Sequence, residues 1–298
     1  MNECAAAVGT FDGVHLGHAA VLSTLREIAG EKGLDAKAIT FDRHPLALIA
    51  PDRAPLAITT LKKKEELISH LGVSPVTMVF DEELRATTAA DWMAMLHDDM
   101  GVTELVVGYD NTFGSDGVSL SIADYRAIGR KSGINVTEAP FVAGISSSAI
   151  RKAIASGDIA SANSMLGRHF VLPGIVVDGN RLGRTIGFPT ANLLPEAGLV
   201  VPGNGVYAAV VTLPDGERRP AMVNIGTRPT VRRGDNLTVE AHILGWKGDI
   251  YGMPLRLAFH GRLRDESRFN SIDALRRQLE KDALQAQLFL SDSTKPGI

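Results

Sequence analysis

Two histidines stand three residues apart in the stretch GTFDGVHLGH, Gly9 to His18, where a short apolar run gives way to residues with helical spacing. A helix starting there presents unpaired backbone N–H groups and the positive end of its dipole, which suits a phosphate. Gly13 and Gly17 let the backbone approach an anion without a Cβ in the way. His15 and His18 add side-chain donors toward the same place. Zinc held by His-x-x-His is a competing reading, although further nearby ligands of the usual types are lacking. A solvated turn with incidental histidines is another. A second stretch, ISSSAIRKAIASGD from Ile145 to Asp158, sets Ser146, Ser147 and Ser148 at a helix start with Arg151 about one turn in. One serine suffices for a cap, and the guanidinium adds a fork matched to phosphate. The two segments together could hold a triphosphate between two helix N-termini.

A third stretch, GIVVDGNRLGRTIGFPTANL, runs from Gly174 to Leu193. Gly179, Gly183 and Gly187 with Arg184 make a flexible, donor-rich loop, and Pro189 stiffens the segment presenting Thr190 and Asn192. A hydroxyl and an amide carbonyl are hard oxygen ligands suited to Mg²⁺ carrying ATP phosphates. Glycines between strands are otherwise turns. Glu240 lies on a β-rich run, where a glutamate is otherwise an exposed face residue.

The elements that must position these groups fall into two textures. From Cys4 to Glu138, strand candidates (Cys4–Val8, Ala36–Phe41, Val76–Phe80, Glu104–Val107, Ile134–Glu138) alternate with helical spacings such as Leu22, Leu25, Ile28 and Ala29. Thr88 with Asp91 marks a helix start ahead of Trp92, Met93 and Leu96. That alternation predicts an α/β unit with a parallel sheet, whose ligands collect beyond the carboxyl ends of the strands. GTFDGVHLGH, FDRHP and VGYDNTFG each follow a strand candidate, so they share one rim. From about Leu166 the chain turns to short β-rich runs: Gly174–Val177, Val206–Leu213, Pro220–Ile225, Thr238–Leu244 and Leu255–His260. These predict a small antiparallel barrel, closed by a helix from about Ser271. The expected domains are 1–166 and 167–298.

The totals are consistent with two domains. The chain has 298 residues, 45% hydrophobic, with a formal charge of −3 that gives no reason to expect nucleic acid as the main partner. Cys4 is the one cysteine, so no internal disulfide forms, which suits a reducing compartment. With no stretch able to span a bilayer, the expectation is a cytoplasmic protein without a membrane partner.

GTFDGVHLGH together with ISSSAIR resembles the nucleotidyltransferase half of prokaryotic bifunctional riboflavin kinase/FAD synthetases. The GFPTAN core of the third stretch resembles the riboflavin kinase signature. NIGTRPT, VEAHIL, DIYG and GRLRDESRF match further kinase motifs in the expected order. The resemblance implies a Rossmann-like nucleotidyltransferase domain followed by a kinase-type barrel. It implies an enzyme that converts riboflavin to FMN and FMN to FAD, with Mg²⁺-ATP used twice and flavins as substrate and product rather than bound redox cofactors. Riboflavin, FMN and ATP are the implied partners. On the matching positions, Glu240 acts as base, His15, His18 and Arg151 serve adenylyl transfer, and Thr190 and Asn192 hold the metal. Gly9, Phe11, Gly17, Ser146, Ser147, Ser148, Gly183 and Arg184 join Thr190 and Asn192 in binding ATP or its phosphates. His44, Asp110, Asp158, Arg264 and Phe269 bind or position flavin.

Departures from the pattern carry expectations of their own. Arg43 replaces a proline in FDRHP, which predicts a less rigid loop, and Asn111 and Thr112 replace the aromatic and basic residues common in VGYDNTFG. Those changes leave a kinase-only enzyme and a non-catalytic flavin-binding regulator as alternatives. GRKS, Gly129 to Ser132, reads as a helix terminus rather than a P-loop end. LKKKEEL, Leu61 to Leu67, reads as a charged helix start with a solvated face. Trp92 and Trp246 read as packing residues.

Overall fold

The structure, a computed structural model, describes residues 2–109, 112–179, 183, 186–227 and 237–292. It divides into two compact units, Met1–Ser147 and Ser148–Ile298.

The first unit holds five parallel strands: β1 (Cys4–Val8), β2 (Asp35–Phe41), β3 (Ser74–Met78), β4 (Val102–Val107) and β5 (Asn135–Glu138). Their order is β3-β2-β1-β4-β5, so the chain steps outward from β1 on one side and then restarts on the other. The switch falls beside β1, and in such sheets the crevice past the carboxyl ends at that point receives ligand. Helices α1 (Leu16–Lys32), α2 (Leu46–Ile49), α3 (Leu61–His70), α4 (Glu82–Ala86), α5 (Ala89–Met100) and α6 (Ile122–Lys131) connect or cover the strands. β1 reads Cys-Ala-Ala-Ala-Val, a poor intrinsic strand former, yet it is buried throughout. Its small side chains let helices approach both faces. Cys4, Ala6 and Val8 join one apolar layer with Trp92, Met93 and Leu96 of α5, while Ala5 and Ala7 join the other with Leu22 and Leu25 of α1. Thr88 caps α5, accepting from the Asp91 N–H, as its spacing predicts.

The second unit begins with α7 (Ser147–Ser156, from its second residue) and α8 (Ile159–Leu166) and continues into a closed antiparallel barrel. Its strands are β6 (Phe170–Val177), β7 (Ala191–Pro195), β8 (Gly205–Thr212), β9 (Arg218–Thr227), β10 (Leu237–Ile243) and β11 (Pro254–Arg264), in the order β10-β7-β6-β11-β8-β9. Alternation of side chains fills the interior with Leu172, Val176, Leu193, Tyr207, Val211, Val223, Val239, Leu257 and Phe259. The closing helix α9 (Ile272–Asp292) lays Ala286 and Leu290 on the outer face over Ala208, Met222 and Leu244. β7 is absent from the strand candidates: bracketed by Pro189 and Pro195, it offers too short an alternation to show as a strand.

Candidate active sites

In the first unit the chain leaves β1 at Val8 and enters α1 through a loop that includes the two positive-φ non-glycine residues among those described, Phe11 (φ 46°) and Val14 (φ 37°). Backbone of this kind costs about 1–3 kcal/mol per residue and marks functional sites. His15 is the N-cap of α1, and its Nδ1 accepts from the His18 N–H at 3.2 Å. An accepting Nδ1 in a neutral imidazole leaves the proton on Nε2 as a donor. The His15 and His18 rings stack with centroids 3.6 Å apart and planes 15° apart, and the Phe11 ring meets His18 edge-on at 5.3 Å. The expected pair is therefore brought together. Glycine at 17 lets the His15 ring sit there unshifted, since a Cβ would lie 3.1 Å from it. At Gly9 a Cβ would lie 3.3 Å from the Phe11 ring. No group of three or more His, Cys, Asp or Glu suited to a metal occurs among the described residues, so the zinc reading finds no support there.

Asp12, in the same loop, accepts from the Ile58 N–H at 2.9 Å and the Thr59 N–H at 3.3 Å through its carboxylate. Its carbonyl accepts from the Ser147 hydroxyl at 3.0 Å. Ser146 precedes α7, Ser148 lies in its first turn and Arg151 one turn on. The solvated face expected for Leu61 to Leu67 needs correction at Lys64. That side chain is buried and donates to the carbonyls of Thr10 and Phe41. Lys64 falls on the apolar stripe of α3 with Leu61 and Ile68, a signal that spacing could have exposed.

Beside the loop opens a cavity of about 660 Å³ whose walls include Val8, Gly9, Phe41, Phe80, Trp92 and Phe113. Phe41 ends β2 and Phe80 stands two residues past β3, while Phe113 lies further along, six residues past β4. Trp92 is 2% exposed and packs edge-on to Phe41 and Phe113, in agreement with a packing role. Among the expected flavin residues, His44 accepts from the Leu46 N–H at 3.1 Å and shapes its own turn. Asp158 caps α8, and its hydrogen bonds from Ser161 hold its carboxyl below the usual range. Asp110 and Asn111 lie outside the described residues. Arg43 is paired with the Asp42 carboxylate at 2.8 Å.

In the barrel unit, Glu240 on β10 stands opposite Asn192 of β7 on one side and Asn224 of β9 on the other. Val239, Ala241 and Ile243 point inward, so Glu240 faces out, and register alone places its neighbours. The Thr190 hydroxyl lies 3.4 Å from the Glu240 carboxylate and donates to it. Thr190, Asn192 and Glu240 are thus one cluster. The Gly179 backbone lies against the Asn192 amide, where a Cβ would fall 2.0 Å from its nitrogen. The Gly183 carbonyl accepts from the Phe188 N–H at 2.8 Å, which closes the turn leading to Thr190; Arg184 lies outside the described residues. His242 donates from Nδ1 to the Pro189 carbonyl at 2.7 Å, and burial pulls its pKa below the ordinary histidine value. Thr190 also forms part of the wall of a cavity of about 340 Å³ with Val176, Ala241, Trp246, Lys247 and Tyr251. Trp246, expected as packing, lines that space.

Arg264, at the end of β11, makes a two-pronged ion pair with the fully buried Asp282 of α9 at 3.0 and 2.7 Å. Its guanidinium lies 5.8 Å from the Phe269 ring centroid, so these two expected residues are neighbours. The Glu266 carboxylate lies over Gly226 of β9.

Residues 1–151 match the family model described as FAD synthetase, and residues 166–290 match the one described as riboflavin kinase. A protein of Escherichia coli K12 named bifunctional riboflavin kinase/FMN adenylyltransferase is 38% identical over 300 residues, spanning 99% of this chain and 95% of that relative. Its namesake in Bacillus subtilis 168 is 35% identical over 295 residues, spanning 97% and 93%. A crystal structure from Streptococcus pneumoniae, described as a macrolide-efflux protein, aligns with a TM-score of 0.87 at 29% identity, spanning 96% of this chain and 95% of that one. No helix among the described residues is long and apolar enough to cross a membrane.

Proposed function

The chain belongs to the family of bifunctional riboflavin kinase/FMN adenylyltransferases, and from that premise we propose how its two sites divide the chemistry. It phosphorylates riboflavin to FMN with ATP and joins FMN to the adenylyl group of a second ATP, releasing pyrophosphate. In the kinase step a ribityl hydroxyl attacks the γ-phosphate, and a protonated alcohol is a poor nucleophile. Glu240 accepts its proton as general base. Thr190 and Asn192 beside it supply hard oxygens that fit Mg²⁺ and would hold the ion with ATP. When bound, Mg²⁺ neutralises charge on the phosphates. The cavity beside Thr190 takes the nucleoside, with Trp246 and Tyr251 as its aromatic wall.

In the adenylyl step the attacker is a phosphate monoester with a second pKa of about 6. It arrives mostly dianionic at neutral pH and needs no base. The required work is stabilisation of charge around the α-phosphate and the departing pyrophosphate. His15, through Nε2–H, and His18 donate to the phosphate in transfer. The N–H groups at the start of α1, with Ser146 and Ser147, hold the leaving end; Ser148 and Arg151, expected as phosphate ligands, lie on α7. The aromatic cavity beside Gly9 receives the flavin ring.

One contrast carries this division: a carboxylate adjoins the metal-type donors in the barrel, whereas in the loop the Asp12 carboxylate is occupied with the Ile58 and Thr59 N–H groups. The working domain boundary stays at 166/167, supported by the riboflavin kinase match that begins at 166. A reducing, cytoplasmic setting is part of the reading, supported by the single buried thiol of Cys4. The test is to incubate the protein with riboflavin, ATP and Mg²⁺ and separate the flavins. FMN plus FAD is expected; FMN alone selects a kinase-only enzyme, and unchanged riboflavin selects a flavin-binding regulator.

A further inference from the structure

The strained loop between Gly9 and His15 keeps its shape only if its surroundings over-determine it, and one of those restraints comes from a buried cation. Lys64 donates from Nζ to the Thr10 carbonyl at 3.2 Å and to the Phe41 carbonyl at 2.8 Å. It thereby ties the loop after β1 to the last residue of β2. The Thr40 hydroxyl, itself fully buried, donates to the same Thr10 carbonyl at 3.1 Å. Just ahead of α3, Thr59 accepts from the Gly13 N–H through its hydroxyl at 3.3 Å. The segment 58–64 is therefore a brace under the loop.

Lys64 is 9% exposed, and burial holds its ammonium below the ordinary lysine pKa while the Asp12 charge opposes that shift. An apolar side chain of equal length would fill the space without the cost of desolvating a charge. What the ammonium adds is a pair of hydrogen bonds to strand-end carbonyls, and a positive charge in the floor of a loop that faces phosphate.

We propose that Lys64 is a positioning residue for adenylyl transfer: by fixing the Thr10 and Phe41 carbonyls it holds the loop in the shape that aims the start of α1, His15 and His18 at the phosphate. This rests on the adenylyl-transfer reading of the loop. Lys64 touches no reacting atom in this account, so its removal changes turnover more than substrate affinity.

The test uses the full chain carrying Lys64→Met. It follows FAD formation from supplied FMN, FMN formation from riboflavin, and hydrogen-exchange protection of residues 4–8. The expected result is a fall of about 100-fold in kcat for FAD formation, the scale set by small misplacements of catalytic groups. The KM for FMN and the rate of FMN formation stay within about threefold, and β1 stays protected. Thr40→Val removes only the second donor to Thr10 and lowers the same kcat about fivefold, the worth of one hydrogen bond. That variant keeps the proposal open to refutation if Lys64→Met fails to fold. An unchanged kcat in Lys64→Met overturns the proposal. So does loss of β1 protection in Lys64→Met together with an unchanged kcat in Thr40→Val, because Lys64 then serves stability alone. Wild-type protein that makes no FAD, or His18→Ala that makes it at full rate, overturns the reading of the loop itself.

Discussion

The loop from Gly9 to His15 and the row of Thr190, Asn192 and Glu240 place their side chains by different physics. In the loop, Phe11 and Val14 hold backbone angles that L-residues rarely adopt, and hydrogen bonds from Thr40, Ile58, Thr59, Lys64 and Ser147 keep them there. In the barrel, Asn192, Glu240 and Asn224 are neighbours because antiparallel register makes them so, with no unusual angle at any of the three. A strained loop depends on groups distant in sequence. A strand row depends on the ladder that already forms the barrel. The adenylyl site is therefore sensitive to changes well outside its motif, while the kinase site is sensitive mainly to the residues in the row.

The largest expected effect tests the row. Glu240→Gln keeps shape and hydrogen bonding but removes the proton acceptor, so FMN formation falls by about 10²–10⁴-fold, the usual range for a general base. FAD formation from supplied FMN remains near wild type. Separate assays with riboflavin and with FMN check this, and equal damage to both steps would erase the contrast between the sites.

His18→Ala is the counterpart in the loop. Loss of a donor to the developing charge lowers FAD formation about 10²–10³-fold and leaves FMN formation intact. Gly17→Ala sharpens the point, because helix propensity alone favours alanine by about 1 kcal/mol at that position. Its Cβ would lie 3.1 Å from the His15 ring, however, and must displace it. FAD formation then drops about tenfold, read as kcat at saturating FMN, while thermal stability does not fall in proportion.

The smallest effect concerns stability of the barrel. His260 stacks on His169 at 3.6 Å, and burial, with His169 and Arg218 nearby, lowers its pKa from 6.5 to about 4. The unfolded chain takes up the proton first as pH falls, so this contribution is complete above pH 6.5 and is lost progressively down to about pH 4. Urea unfolding followed through Trp246 in a Trp92→Phe chain should show the midpoint falling over that window. His260→Phe should flatten the slope, with no change in either activity at neutral pH.

Much of this architecture is legible in residue order. All five parallel strands lie within two residues of where apolar runs predict them, because β1, β2 and β4 are buried along most of their length and alternate with amphipathic helices. Thr88 and Asp91 mark the start of α5 by local hydrogen bonding that needs no tertiary partner. β7 was not legible, since its prolines conceal a strand that only barrel closure makes worthwhile. The burial of Lys64 is hidden because a run of lysines and glutamates looks solvated unless the apolar stripe through Leu61 and Ile68 is followed across it. The aromatic cavity is not legible in the sequence because Phe41, Phe80 and Phe113 belong to the regions of three different strands, which meet only when the sheet forms.

Residue order by itself determined which chemical groups are available and which local elements carry them: imidazoles at a helix start, hydroxyl and amide after a proline turn, a carboxylate on an alternating strand. Those depend on neighbours a few positions away, where propensity and capping act. Tertiary structure alone decided that Asn192 and Asn224 flank Glu240, and that Asp12 is occupied by Ile58 and Thr59 while Lys64 braces the loop from beneath. Each of these joins residues far apart in the chain. Strand register and burial set their distances, and no local pattern encodes either one.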